Sequence, residues 1–368
     1  MKGSLAPPVT RHLSPLPVPT IPDSSASERP VVFINFWRDG GMKHYAESLV
    51  QALRGAAPVF YLRNYAGTTD SDGLVLDVDF HPLRPRNWAA IPRLARLLRA
   101  LRPRAVHLNN EQPLLLPLYP LLARMNTVVT LHDARSHAGE RLAKRLFHRL
   151  HLRLVRAFIP KIIVHSAAIR DALPPWLPRA RIHVVPHVNL NHWARSAAAL
   201  PPAEPVTVLF FGRILAYKGL DVLLEAFHLL DAQRFRLIVA GAGEMPPVAG
   251  GNIEVLNRFV SDEEMSVLFQ RAHIVALPYR AASQSGVAHM AFAFGKPVVS
   301  TRVGALPEVV RDGETGLLVA PGSAPELAAA LEKLADPARR AQFEENIRRR
   351  NLSSDEEIRT ALLAVYDA

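Results

Sequence analysis

The sequence has no cysteine among its 368 residues. That excludes disulfides and thiolate metal sites, and it predicts a reducing compartment. It has no uninterrupted run of 18 apolar residues, so no membrane-spanning helix is expected. The opening stretch, "MKGSLAPPVTRHLSPLPVPTIPDSSASERP", is rich in proline and serine and lacks a continuous apolar core. Residues 1–28 therefore predict a flexible leader rather than a secretory signal, and the expected location is the cytoplasm. Also missing are a Gly-x-x-x-x-Gly-Lys-Ser/Thr loop, a Gly-x-Ser-x-Gly elbow, a Gly-x-Gly-x-x-Gly fingerprint and a His-x-x-x-His pair with a carboxylate. The usual short signatures of P-loop, serine-hydrolase, dinucleotide and metal chemistry are thus absent.

Charge is present but uneven. Residues 1–205 hold 27 Lys and Arg against 13 Asp and Glu, a balance of +14. Residues 206–368 hold 17 against 20, a balance of −3. A basic first half predicts an anionic surface or substrate there. No aromatic-interleaved basic motif accompanies the charge, so nucleic acid is not an expected partner.

Short apolar runs alternate with helical patterns along the whole chain. "RPVVFINFW" (29–37), "PVFYLRN" (58–64), "AVHLNN" (105–110), "TVVTLHD" (127–133), "KIIVHS" (161–166) and "RIHVVPH" (181–187) predict strands. "MKHYAESLVQALRGAAP", "IPRLARLLRALRPR" (91–104) and "RLAKRLFHRLHLRLVRAF" (141–158) predict helices between them. A proline- and alanine-rich stretch at 189–205 reads as a linker. A second series follows, with strands at 206–212, 235–243, 252–259, 273–279, 296–301 and 315–321. The strands are apolar throughout, as in parallel sheets covered on both faces. The expected fold is α/β, with two doubly wound Rossmann-like domains and a cleft between them. The boundaries are a first domain at 29–190, a linker at 191–205, a second domain at 206–336 and helices at 337–368. These last helices are expected to cross back to the first domain.

Ligands of open parallel sheets bind outside the carboxyl ends of the strands. Four loops there carry candidate chemistry. In "RDGGMKH" (38–44), Gly40 and Gly41 permit close backbone approach before a helix N-terminus, although a plain tight turn also favours Gly-Gly. In "GRILAYKG" (212–219), Arg213 and Lys218 suit the two negative centres of a diphosphate, or are two solvated cations. In "ASQSGVAHMAFAFGKPVV" (282–299), small polar residues open an apolar helix. Free N–H groups there form an anion site, or Ser283 or Ser285 is a simple N-cap. In "LHD" (131–133), His132 ends a buried strand, as a catalytic or a structural histidine.

The series "FFGRILAYKGLDVLLEAF", "LIVAGAGE", "VLNRFVSDEEMSVLFQRAHIVALPY" and "SGVAHMAFAFGKPVVSTRVGALPEVVRDGETGLLVAPG" resembles a retaining glycosyltransferase of the GT-B fold, family 4. The resemblance covers about residues 30–335. It implies a nucleotide-diphosphate sugar donor on the second domain, a saccharide or lipid-linked acceptor on the first, and no catalytic metal or cofactor. By position, Arg213 and Lys218 match the pair that neutralises the donor diphosphate. Ser285, Gly286 and Val287 match the loop holding the distal phosphate. Arg258 and Phe259 match the segment bordering the nucleobase. Gly40 and Gly41 match the glycine turn facing the diphosphate, and His132 a histidine near the donor sugar.

One departure stands out. The family's two glutamates, spaced Glu-x7-Glu, fall here at Ala282 and Met290. The resemblance is to a variant branch in which Gln284 takes over part of the sugar contact and Glu308 supplies a relocated carboxylate or caps its own helix. Other outcomes of this fold are a nucleotide-sugar epimerase and a non-catalytic partner subunit. The helix at 141–158 interleaves Arg141, Lys144, Arg145, Arg149, Arg153 and Arg156 with leucines. That pattern fits an anionic membrane surface at the inner face, or a helix packed on its own sheet.

Overall fold

A computed structural model describes residues 29–37, 40–63, 73–75, 85–110, 113–134, 142–195, 205–350 and 354–368. The leader expected over 1–28 lies outside them. The first half runs β1 (Val31–Asn35), α1 (Gly41–Leu53), β2 (Val59–Arg63), β3 (Gly73–Val75), α2 (Pro85–Leu101), β4 (Ala105–Asn109), α3 (Tyr119–Leu122), β5 (Thr127–Thr130), α4 (Leu142–Phe158), β6 (Lys161–Val164), α5 (Ala167–Ala172), β7 (Ile182–Val184) and α6 (Asn191–Arg195). The second runs β8 (Val206–Phe211), α7 (Leu220–His228), β9 (Phe235–Ala240), β10 (Ile253–Leu256), α8 (Asp262–Arg271), β11 (Ile274–Leu277), α9 (Gly286–Ala293), β12 (Val298–Thr301), α10 (Leu306–Val309), β13 (Gly316–Val319), α11 (Ala324–Ala335), α12 (Pro337–Arg350) and α13 (Asp355–Asp367).

The strands form two sheets, ordered β3-β2-β1-β4-β5-β6-β7 and β10-β9-β8-β11-β12-β13. Every pairing is parallel. Each sheet reverses direction of winding once, at β1/β4 and at β8/β11. A doubly wound sheet opens a crevice at such a point, because the flanking connections leave on opposite faces. Both candidate glycine loops follow the first strand of a switch pair, and the "SQSG" stretch follows β11.

Alternate residues of each strand enter different apolar layers, as both-face burial requires. Val32 and Ile34 pack with α2 and α4 residues such as Leu98 and Val155. Val31 and Phe33 face the opposite way, into a core that also holds Leu209, Met265 and Met290 of the second half. One apolar layer therefore runs through both domains. The C-terminal helices close it. Ile358, Leu362 and Tyr366 of α13 enter the same layer, and the Tyr366 hydroxyl meets His107 Nδ1 of β4 at 2.7 Å. Arg104 binds both Asp367 carboxylate oxygens at 2.6 Å.

Three local differences from expectation have physical causes. The expected linker 191–205 begins with α6, whose Trp193 packs against the shared core. Helix α2 starts at Pro85, six residues before the expected start, and Pro92 lies inside it. Pro92 costs the bond to the carbonyl of Trp88, but Trp88 is exposed. The three-residue β3 is an edge strand too short to show an apolar pattern.

Candidate active site

The site begins with the geometry of α9. Ser285 occupies its N-cap with extended backbone, yet its side chain makes no capping hydrogen bond. The Ser285 hydroxyl is instead buried against the Tyr279 hydroxyl at 3.4 Å. Serine does cap elsewhere in this chain. Ser166, Ser261, Ser323 and Ser354 each accept from the third backbone N–H of α5, α8, α11 and α13. The Ala288 N–H donates to the Ser285 carbonyl at 3.1 Å, but the Gly286 and Val287 N–H groups meet no acceptor among the described residues and stand at the positive end of the helix dipole.

A cation stands beside this turn. Gly212, with φ 101°, follows β8. A methyl group on it would lie 3.0 Å from the Lys218 ammonium and 3.8 Å from a Val287 methyl. Gly212 therefore separates Lys218 from the first turn of α9 with no side chain between. The Lys218 ammonium lies 5.3 Å from the centre of the Tyr279 ring. Burial, and then the Arg213 charge, lower the Lys218 pKa to about 8. Two like charges are held close here, one of them desolvated. A bound anion would offset both costs. Gly219, at φ 66°, is equally forced: a methyl there would sit 2.1 Å from the Pro278 carbonyl oxygen. Arg280 binds both Asp221 oxygens at 2.7 and 2.6 Å, which ties the end of β11 to α7.

The first domain closes the opposite wall. Gly40 has φ 69°, and the space beside it and Gly41 is open to 4 Å. His132 follows β5, is 2% exposed and reaches across to α9. Its Nδ1 lies 2.8 Å from Gln284 Nε2, and its Nε2 lies 2.9 Å from Asn109 Oδ1. Burial, then His165, His187 and His107, hold the His132 pKa well below the usual histidine range. Nearby, the His187 and His289 rings stack at 4.1 Å across the two domains. Lys43 and His44 of α1 grip Asp262 of α8 at 2.5 and 2.7 Å. Burial raises the Asp262 pKa, but those two partners outweigh it and bring it to about 2.

The structure brings Lys218, Ser285, Gly286, Val287, Gln284 and His132 together, with Arg213 at the exposed rim. Two expected residues are engaged elsewhere. Arg258 forms a two-bond pair with Glu264 at 2.8 and 2.6 Å, while neighbouring Phe259 is 60% exposed. Glu308 neither caps its own helix nor faces α9. Its carboxylate accepts from the Ala167 and Ala168 N–H groups at 3.1 and 2.7 Å, so it caps α5 in the other domain. The first-turn dipole of α5 makes that placement favourable. Sequence reasoning missed Asn35, Asn109, Asp262 and the histidine group around Tyr45. Asn35 and Asn109 had a signal: a polar amide closing a buried strand that is apolar but for His107 of β4.

The comparisons with known proteins fall on this architecture. Residues 39–188 match the family model "Glycosyltransferase Family 4", and residues 205–336 match "Glycosyl transferases group 1". The chain is 38% identical over 151 residues to a D-inositol 3-phosphate glycosyltransferase of Corynebacterium aurimucosum, covering 37% of this chain and 36% of that one. It is 35% identical over 212 residues to the Mycobacterium tuberculosis protein of that name, covering 51% and 44%. The chain thus spans less than half the length of these curated relatives. Among solved structures, a sucrose-phosphate synthase from Thermosynechococcus elongatus superposes with a TM-score of 0.69 at 23% identity, covering 92% of this chain and 98% of that one. Anabaena Alr3699/HepE, solved with UDP-glucose, gives 0.70 at 18%, covering 92% and 100%. At those identities the likeness is one of fold. The fold is GT-B, the two-domain α/β architecture of glycosyltransferases. Within it, the chain belongs to the family 4 type, with each half matching its own domain model.

Lys218 gives this site a pH signature. An anion beside it raises its pKa, so the complex holds more protons than the free protein above about pH 8. Affinity for a nucleoside diphosphate should be level from pH 7 to 8 and then fall, by at most tenfold per pH unit. Isothermal titration with UDP, GDP and ADP measures this, and Lys218→Met should abolish the slope. Level affinity to pH 10 in the unaltered protein would remove Lys218 from the anion site.

Proposed function

We propose that this chain transfers a sugar from a nucleotide-diphosphate donor to a saccharide acceptor with retention of anomeric configuration. The observation that carries this reading is the uncapped α9 N-terminus beside the desolvated Lys218. As the glycosidic bond lengthens, negative charge grows on the departing diphosphate. The α9 N–H groups, Lys218 and Arg213 are fixed donors for that charge, and fixed donors lower the barrier. Substitution then proceeds on the same face through an oxocarbenium-like state, with the leaving phosphate helping to deprotonate the acceptor hydroxyl. Gln284 and His132 serve the sugar. Gly40 and Gly41 leave room for the diphosphate, and Phe259 borders the base. No metal is required, because the cations and helix dipole neutralise the diphosphate. The process served would be assembly of a surface polysaccharide or glycolipid.

Ala282 and Met290 favour a second reading, a donor-binding partner protein without transfer activity. Thermal shifts with UDP, GDP, ADP and their glucose conjugates, with and without chelator, test donor binding. Ligand at 100 times its dissociation constant stabilises by about 2.7 kcal/mol. One base should stand out, with no effect of chelator. Arg213→Ala should weaken binding by roughly 10- to 100-fold, the loss of a charged hydrogen bond. Product formation with the anomer read by NMR separates the readings. A retained anomer supports transfer, and bound donor without turnover supports the partner protein. No response to any nucleotide would contradict both.

The acceptor side adds a membrane surface. No helix of the described residues is long and apolar enough to cross a membrane. On α4, however, Leu142, Leu146 and Leu150 form a ridge exposed by 68, 55 and 49%. Arg145, Arg149, Arg153 and Arg156 on the same helix are exposed as well. Arg141 and the Lys144 side chain lie outside the described residues. An apolar ridge flanked by cations suits an anionic bilayer face, each cation contributing about 1 kcal/mol. This supports a lipid-linked acceptor at the inner membrane face. Flotation should show binding to vesicles containing phosphatidylglycerol and not to phosphatidylcholine alone, with Leu146→Glu/Leu150→Glu lost to the pellet. Equal behaviour with both vesicles would reject attachment.

A further inference from the structure

A chain of hydrogen bonds crosses the cleft beneath the site, and its polarity is set by backbone atoms. Asn35 Nδ2 donates to the Trp37 carbonyl at 3.1 Å, and Asn35 Oδ1 accepts from the Trp37 N–H at 3.3 Å. A carbonyl only accepts and an N–H only donates, so one residue's backbone fixes both ends of the Asn35 amide. Asn35 Nδ2 also donates to the Tyr61 hydroxyl at 3.3 Å. Asn109 Nδ2 donates to Asn35 Oδ1 and to the Met42 carbonyl, each at 3.2 Å. The Asn109 oxygen is therefore the atom facing His132 Nε2 at 2.9 Å. An amide oxygen cannot donate, so His132 Nε2 must carry the hydrogen.

The rest follows from the state of the ring. Tyr45 of α1, His107 of β4, and His165 and His187 surround His132 without an anion among them. Burial and these rings keep it neutral at pH 7. A neutral imidazole protonated at Nε2 has a bare Nδ1, which accepts from Gln284 Nε2 at 2.8 Å. The Gln284 nitrogen is then committed. Among the described residues, nothing hydrogen-bonds to its oxygen. That oxygen belongs to the residue immediately before Ser285 and the open turn of α9.

We infer that Asn35 and Asn109 are positioning residues that lock His132 as the Nε2–H tautomer, and that His132 in turn orients the Gln284 amide so its oxygen accepts a donor-sugar hydroxyl. The second part rests on the transferase reading above; the first does not. An amide oxygen and a carboxylate oxygen are both acceptors for a sugar hydroxyl. The relay thus gives Gln284 the acceptor chemistry that the family pattern places at Ala282. It also explains why glutamine serves here: glutamate has no N–H to offer the bare Nδ1.

The test is 15N NMR of the histidine rings in protein labelled with 15N-histidine, without ligand, at pH 7.5, with His132 assigned by His132→Gln. The expected spectrum has a pyrrole-type Nε2 and a pyridine-type Nδ1. Asn109→Leu, which removes the acceptor oxygen, should release His132 to mixed tautomers, and Gln284→Glu should draw a proton onto Nδ1. Gln284→Met should leave Nε2–H intact. An Nδ1–H ring in the unaltered protein overturns the relay whether or not any variant folds. So does an unchanged His132 spectrum in a folded Asn109→Leu protein. Neither result touches nucleotide binding, so the transferase reading would survive them, and its own failure would appear as a missing thermal shift with the tautomer unchanged.

Discussion

An α-helix that begins with donors no side chain satisfies is the constraint on which this site turns. An N-cap side chain is worth about 0.5–2 kcal/mol to a helix, and this chain places serines for it at four other helices. At α9 the serine is present and turned away to Tyr279. Under the proposed reading, the Gly286 and Val287 N–H groups are the donors for the diphosphate. Everything nearby agrees with an anion as the visitor. Gly212 removes the side chain that would screen Lys218 from the turn, and Lys218 is desolvated enough to lower its pKa to about 8. Arg213 adds a second cation at the rim.

The two domains are joined by more than a cleft. A single apolar layer holds Phe33 and Leu49 of one domain with Met265 and Met290 of the other. Polar contacts sit at its edges: Lys43 and His44 on Asp262, Glu308 on the α5 N-terminus, Gln284 on His132. Each is directional, and together they fix the register of α9 against the carboxyl ends of β1, β4 and β5. The C-terminal helix supports the same strands from behind, through Tyr366 on His107.

Much of this was legible in the sequence. Apolar runs at 29–37, 105–110, 206–212 and 273–279 marked the central strands because parallel strands buried on both faces carry no alternation. The loops following them held the candidate residues because a doubly wound sheet opens only there. Boundaries were less legible. The helix expected from residue 91 begins at Pro85 with Pro92 inside it, and α6 hid in a stretch that composition marked as linker. Side-chain partners were least legible. Asn35, Asn109 and His132 lie on or just past β1, β4 and β5, which are neighbours in the sheet but far apart in the chain. Their meeting depends on strand order, which local pattern does not encode. Glu308 illustrates the same limit: its partner is a helix more than a hundred residues away.

The most direct measurement of the central claim is the amide spectrum of Gly286 and Val287 during titration with UDP, GDP and ADP. If α9 opens onto a diphosphate, both amide protons should shift downfield with one nucleotide, reaching half of the full shift at the dissociation constant found by calorimetry. If a nucleotide binds while these two amides stay still, the anion lies elsewhere, and the account of α9 is wrong.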